Sequence, residues 1–490
     1  MTSKITLMRS SALGVLFAFG LGAVAQAQTA PADADVAAQI RALQAQVQAL
    51  QARLDAQERA QAAAPVATAA TPAPAQPVAS PAGAAQPVVS LAAAEPTQTP
   101  AAASAPAKAW YERLQLRGYT QLRYNGVLSG DDTAPAGVSR LRSVHDASIS
   151  EDGGFSLRRV RTVLQGDITD RISLYLQHDF GAAVNNQSST ERREHFGQLR
   201  DAYVDVFADK DHRFRLRFGQ SKVPFGWENL QSSSNRLTLD RSDAINSGVP
   251  GERDLGVVAY YTPPQVQAVW DRLAKDGQKL FGNYGAFGVG VYNGQGTNRT
   301  ERNGSLMTVA MATWPFELDA LGDLFEGQVL ELGGSALLNK VRPELRSGGV
   351  SAVDYDDERV GLHAILYPQP FGIQAEWTWG RAPEFDTGLS AIREKKLNGG
   401  YVQLMYDVGE TGVGKLIPYA RWQRYRGGWK ASVNAPRLET DEVELGVEWQ
   451  FMKALEFTAA YAHMKRREAD ERRAGRAEGD LVRAQLQWNY

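Results

Sequence analysis

Residues 481–490 read LVRAQLQWNY, and this stretch decides the fold. Val482, Ala484, Leu486, Trp488 and Tyr490 alternate with Arg483, Gln485, Gln487 and Asn489. One face is apolar and the other polar, at period two, which predicts a strand. Ten residues are enough for a tilted strand to cross hydrocarbon. A strand in lipid must pair along both edges, because unpaired backbone is too costly there. The segment is therefore expected to close a sheet by pairing with the first strand, near residues 114–124.

The same alternation recurs at 114–124, 213–220, 253–261, 371–380, 400–408 and 441–449. The connections alternate in length. Short ones fall at 169–170, 208–212, 368–370, 409–414 and 452–454. Long polar ones fall at 125–154, 181–198, 222–252, 294–304, 339–356, 382–396, 426–439 and 467–479. Counting the strands between them gives about sixteen. The stretch 263–282 lies on the short side but is too long for a turn, which leaves the count around 263–326 open. A soluble β-sandwich also alternates, but it does not need spanning strands with an apolar face on each. The expected fold is all-β: a transmembrane antiparallel β-barrel over residues 110–490. An even strand count places both ends on the periplasmic side, with short turns there and long loops outside.

The N-terminal quarter has a different composition. Lys4 and Arg9 precede the apolar run 11–24 and the small-residue site Ala25-Gln26-Ala27, which predicts a signal peptide over 1–27. Residues 33–60 carry a heptad seam, with Ile40, Val47 and Leu54 at one core position and Val36, Leu43 and Leu50 at the other. That pattern predicts a short coiled coil and favours two strands. Residues 61–108 are almost wholly Ala, Pro, Thr, Ser, Val and Gln, and predict a disordered Ala/Pro linker. Cysteine is absent, which excludes thiolate metal sites, disulfides and cysteine nucleophiles. The net charge of −2 gives no polycation for nucleic acid. The histidines at 145, 178, 195, 212, 363 and 463 lack metal-ligand spacing. No nucleophile motif is present, so neither an enzyme nor a cofactor is expected.

Residues 155–168 (FSLRRVRTVLQGDI), 199–207 (LRDAYVDVF), 216–234 (LRFGQSKVPFGWENLQSSS), 253–257 (RDLGV) and 292–298 (YNGQGTN) resemble the phosphate-selective porin O and P family. The resemblance implies a sixteen-stranded, trimeric outer-membrane channel whose lumenal arginines and lysines carry anions. It also implies a periplasmic N-terminal extension in some members. The terminal aromatic strand resembles the signal read by the outer-membrane insertion machinery.

If apolar faces meet lipid, the other faces line the pore. Arg117, Arg123, Arg159, Arg161, Arg213, Arg215 and Arg217 then form a basic wall. Guanidiniums two residues apart on one face lie about 6.8 Å apart. Their planar forks suit phosphate or carboxylate. Glu331, Glu376, Asp407, Glu442, Glu444 and Glu448 fall on polar faces of later strands and predict an acidic wall opposite, with a transverse field between. The loop at 222–252 is the expected constriction, with Lys222, Glu228, Arg236, Asp240, Arg241 and Asp243 as its charged members. The outer loops carry many acids, among them Asp131, Asp132, Glu151, Asp152, Asp354, Asp356, Asp357 and Glu358, which argues against strong phosphate selectivity.

The leading expectation is a passive diffusion channel for small hydrophilic, anion-preferring solutes, working as a homotrimer. A weakly selective porin with a transverse charge field is the near alternative. A structural tether or adhesin with a plugged barrel is the alternative from another class.

Overall fold

The computed structural model describes residues 109–130, 134–149, 153–182, 195–282 and 284–490. The expected signal peptide, coiled coil and linker lie outside the described residues, as do Asp131, Asp132, Glu151 and Asp152. Sixteen long strands follow a short helical turn, Trp110–Arg113. They are β1 (Leu114–Gly130), β2 (Gly154–Thr169), β3 (Ile172–Ala182), β4 (Phe196–Phe207), β5 (Phe214–Lys222) and β6 (Arg253–Tyr261). Next come β7 (Phe287–Tyr292), β8 (Met307–Glu317), β9 (Val329–Val341), β10 (Tyr355–Leu366) and β11 (Phe371–Asp386). The last are β12 (Ala391–Tyr406), β13 (Gly414–Gly428), β14 (Arg437–Met452), β15 (Leu455–Arg467) and β16 (Ala477–Asn489). A two-residue bridge, Glu410–Thr411, pairs with the start of β13.

Each strand pairs antiparallel with the next, and β16 pairs back onto β1, with Thr120 opposite Trp488 and Leu122 opposite Leu486. The sheet closes on itself, which removes both edges. The alternation sets the two faces. On β16, Arg483, Gln485 and Gln487 are buried inside, while Val482 is 39% exposed outside. On β5, Arg215 and Arg217 point in, and Leu216 and Phe218 point out.

Three expectations need correction. First, the long connection near 263–282 holds a helix, α3 (Pro264–Lys275). Proline at its first turn costs no hydrogen bond. Val266, Trp270 and Leu273, spaced by four and three, form one buried face. Gly277 ends the helix at φ +75°, where a side chain would be strained. Second, 382–396 is no long polar loop. Strands β11 and β12 stay paired out to Asp386 opposite Ala391, joined by a four-residue turn. Cross-strand ion pairs, such as Lys395 with Asp386 at 3.0 Å, support that extension into water. Third, Arg213 precedes β5 and does not join Arg215 and Arg217. Its side chain is 44% exposed at the turn, where it pairs with Asp209 and Asp211 at 3.4 Å each.

The interior is not a uniform wet bore. Twenty buried apolar residues form one cluster inside the barrel. Val258, Tyr260, Tyr292, Met307, Val309, Met311, Val329, Leu337 and Ile365 supply it from β6–β10. The loop after β5, helix α3, Phe281 and Ala286 between α3 and β7, and Tyr367 just after β10 supply the rest. Among the described residues no helix is long and apolar enough to cross a membrane.

Candidate functional site

Loop 3, residues 223–252, folds inward along nearly its whole length. It begins with a sharp turn at Gly226, at φ +85°, where a Cβ would stand 2.7 Å from Ile245. Two short helices follow, α1 (Trp227–Leu230) and α2 (Asp243–Gly248), the second capped by the Ser242 hydroxyl. The acids of the loop are latched to wall arginines. Glu228 meets Arg421 at 2.6 Å, Asp240 meets Arg123 at 3.0 Å and also Arg483, and Asp243 meets Arg466 at 2.8 Å. At the loop's end Glu252 gathers Lys222 at 3.3 Å, Arg241 at 3.1 Å and Arg253. Burial alone would raise the pKa of Asp240, but Arg123, Arg483 and Arg158 hold it well below the usual carboxylate range. Glu252 is held low in the same way by Arg241, Arg253 and Lys222.

The acidic residues expected to face the basic wall are covered instead. Glu331 accepts hydrogen bonds from Trp227 Nε1 at 3.1 Å, Trp270 Nε1 at 3.0 Å, Thr313 at 2.7 Å and Tyr367 at 2.8 Å. Glu376 accepts from the backbone of Glu228 at 2.8 Å and from Tyr401 at 3.0 Å. Glu448 pairs with Lys279, just after α3, at 2.8 Å. Glu442 pairs with Arg466 at 2.6 Å, and Asp407 with Lys415 at 2.7 Å. Glu444 accepts from Tyr419 at 2.9 Å. Through Glu331, Glu376 and Glu448 the far wall thus anchors loop 3 and the α3 segment.

Among the described residues two large cavities lie against β1–β5. The outer one, about 420 Å³, is lined by Arg158, Arg159, Arg161, Arg200, Arg236 and Arg241, with Asp179, Asp240 and Glu252 among them. The inner one, about 660 Å³, is lined by Arg117, Arg217, Lys222 and Arg253 with Tyr175, Tyr203, Asp201 and Asp205. Between them stands a septum. Arg161 donates to Asp179 at 2.7 Å, to Tyr119 OH at 2.7 Å and to Ser233 Oγ of loop 3 at 3.0 Å.

The basic residues divide by partner. Arg123 is fully buried and spends its guanidinium on Asp146, Asp240, Gln485 and the Leu239 carbonyl. Arg217 is bidentate to Asp205, at 2.7 and 2.8 Å, and lies 3.8 Å over the Tyr203 ring. Arg215 lies 3.5 Å from the same carboxylate. Arg159, by contrast, donates to a neutral partner, Gln121, at 2.7 Å. Arg236 is 6% exposed, and none of its three guanidinium nitrogens has a hydrogen-bond partner among the described residues. Arg117 is exposed in the inner cavity and donates to Gln165 at 2.9 Å.

Strict alternation missed Arg158 and Arg200. In β2 the register steps from Leu122 opposite Leu157 to Gln121 opposite Arg159, so Arg158 is an extra residue. In β4 the step from Asp201 to Leu199 leaves Arg200 extra in the same way. Bulges re-aim side chains out of the period-two pattern. The adjacent pair Arg158-Arg159 was the available signal, because strict alternation would turn one of the two toward lipid.

The sequence profile described as phosphate-selective porin O and P matches residues 136–490. No curated protein matches the chain. Among solved structures, the outer membrane channel DcaP of Acinetobacter baumannii is 13% identical, with a TM-score of 0.49 over 77% of this chain and 97% of that one. The anion-selective porin from Comamonas acidovorans is 13% identical, with a TM-score of 0.44 over 77% and 99%. OprB of Pseudomonas putida is 11% identical, with a TM-score of 0.46 over 77% and 94%.

Proposed function

The chain belongs to the phosphate-selective porin O and P family and is an outer-membrane porin; from that premise we propose that small anionic solutes pass it one-sidedly, along β1–β5. They enter the outer cavity past Arg158 and Arg200, cross the septum beside Arg159 and Arg236, and leave through the inner cavity past Arg117. The observation that carries this reading is Arg236: a buried guanidinium without a hydrogen-bond partner among the described residues, on the wall of the outer cavity next to Arg159. A buried charge is costly unless something pairs with it. A passing carboxylate or phosphate supplies that pairing transiently, with the fork geometry that arginine favours. Closely spaced weak sites let the anion move on.

In this reading Arg123 holds loop 3 to the wall, Arg215 and Arg217 brace β5 against Asp205 of β4, and Glu331, Glu376 and Glu448 anchor the filled half. The barrel sits in the outer-membrane bilayer. As the family resemblance implies, it works as a homotrimer, and its terminal strand addresses it to the assembly machinery. The test is the reversal potential of the full chain in planar bilayers under a salt gradient. Wild type is expected to prefer anions, and Arg236→Glu with Arg159→Glu to prefer cations. An unchanged reversal potential in that double variant would sink the proposal.

A further inference from the structure

His145, in the described part of the first long loop, reaches across to loop 3. Its Nε2 lies 2.6 Å from Asp243 Oδ1, and its Nδ1 lies 2.6 Å from Asn246 Nδ2. The other side of Asn246 fixes the direction of that second bond. Asn246 Oδ1 accepts from Arg241 Nη2 at 2.6 Å, and arginine can only donate. The Asn246 amide therefore turns its NH2 to His145, and His145 Nδ1 is the acceptor. In this arrangement Nδ1 carries no proton, and Nε2 is the ring nitrogen that faces Asp243.

A second proton on Nδ1 would face the Asn246 NH2, donor against donor. Asp243 favours the imidazolium, while Asn246 opposes it. The conflict ends if the Asn246 amide flips and offers Oδ1 to the protonated ring. The flip turns its NH2 toward Arg241, which must then leave. Arg241 keeps Asn229 Oδ1 at 2.5 Å and Glu252 Oε1 at 3.1 Å, and it lines the outer cavity.

We propose that His145, Asn246 and Arg241 form a proton-operated relay that turns one edge of Arg241 toward the outer cavity and strengthens anion preference in acid. It rests on the one-sided anion path described above. Other charged groups surround His145. From loop 3 these are Asp240 and Asp243. From β2, Arg158 donates to the His145 carbonyl at 2.7 Å. From β15, Arg466 holds Asp243, and Arg421, Glu442, Glu444 and Arg483 face the same narrow gap. Asp146 neighbours His145 in its own loop and pairs with Arg123 at 2.7 Å. Trp429 meets the ring edge-on at 5.8 Å. The arginines keep their charge at all relevant pH. Burial opposes it, but Arg466 and the Thr440 hydroxyl hold Asp243 well below the usual carboxylate range.

The experiment compares the reversal potential of the full chain in planar bilayers at about pH 8 and about pH 5, the window in which histidine changes charge. Wild type should gain anion preference on acidification. His145→Gln should lose that gain. Asn246→Asp offers an acceptor to both neighbours at once, so it should lose the gain with the imidazole still in place. A gain that persists in His145→Gln overturns the proposal, as does a flat wild-type response. A gain lost in His145→Gln but kept in Asn246→Asp leaves only a bare charge effect and also overturns the relay. The absolute preference at pH 8 tests the anion path, and the change with pH tests the relay, so the two fail separately.

Discussion

The walls β1–β5 and β6–β10 share one sheet and one period-two pattern, yet they use their inward positions in opposite ways. On β1–β5 those positions carry Arg117, Arg159, Arg161 and Tyr203, and cavities lie against them. On β6–β10 they carry Val258, Tyr292, Val309 and Leu337, and an apolar core lies against them. The charges of the far wall, such as Glu331, are turned into hydrogen-bond acceptors for the tryptophans of loop 3 and α3. Barrel closure does not by itself make a pore. What fills the bore decides where a solute can go, and here half of it is packed like a protein interior.

The comparison breaks most visibly if the filled half is emptied. Replacing 263–282 with a short turn removes α3, Lys279 and Phe281 at once, and single-channel conductance should rise about twofold, because a sixteen-stranded bore is wide when unfilled. Unchanged conductance would mean that α3 blocks nothing. The next test contrasts two arginines of the open wall. Arg217→Leu should cost about 1–3 kcal/mol by leaving the buried Asp205 with only Arg215, at 3.5 Å, read as an earlier unfolding midpoint in urea, with little change in selectivity. Arg159→Gln should do the reverse, lowering anion preference with little change in stability. Glu331→Gln is a smaller perturbation. It weakens charge-assisted bonds from Trp227 and Trp270 by about 1–3 kcal/mol, and should appear as noisier open-channel current.

The barrel was legible because lipid and water impose a strict alternation on every spanning strand. The seam between β16 and β1 follows from the same rule, and Leu122 opposite Leu486 is its outcome. The filled half was less legible, although its signal stood in the sequence. Residues 287–292 (FGVGVY) and 307–314 (MTVAMATW) offer apolar or small side chains on both faces, which a wet lumen does not need. Helix α3 was hidden for a different reason. Its apolar face has only three buried members, and its partners Trp227 and Glu331 are distant in sequence. The pairing of charges was not legible at all. Arg217 and Arg159 look alike along the strand, and only Asp205, on the neighbouring strand, separates a structural arginine from one with a neutral partner.

The smallest expected effect concerns the latch between the two halves. Asp240 and Glu252 join loop 3 to the basic wall, and both carboxyls are held well below the usual range by arginines despite burial. A group whose pKa is depressed in the folded state stabilises that state fully above its unfolded value, near 4, and loses this only as pH falls through the folded value. Acid should therefore not unseat loop 3 until well below about pH 4. Single-channel conductance of wild type should keep one unitary size between about pH 8 and about pH 4, even where selectivity shifts. Asp240→Asn should differ. It leaves Arg123 with Asp146 at 2.7 Å but weakens the hold on the loop tip, so current noise should rise at every pH in that range. If wild type instead jumps to a larger conductance near the ordinary carboxylate range, those carboxyls are not held low, and the latch does not join the two halves in the way their geometry implies.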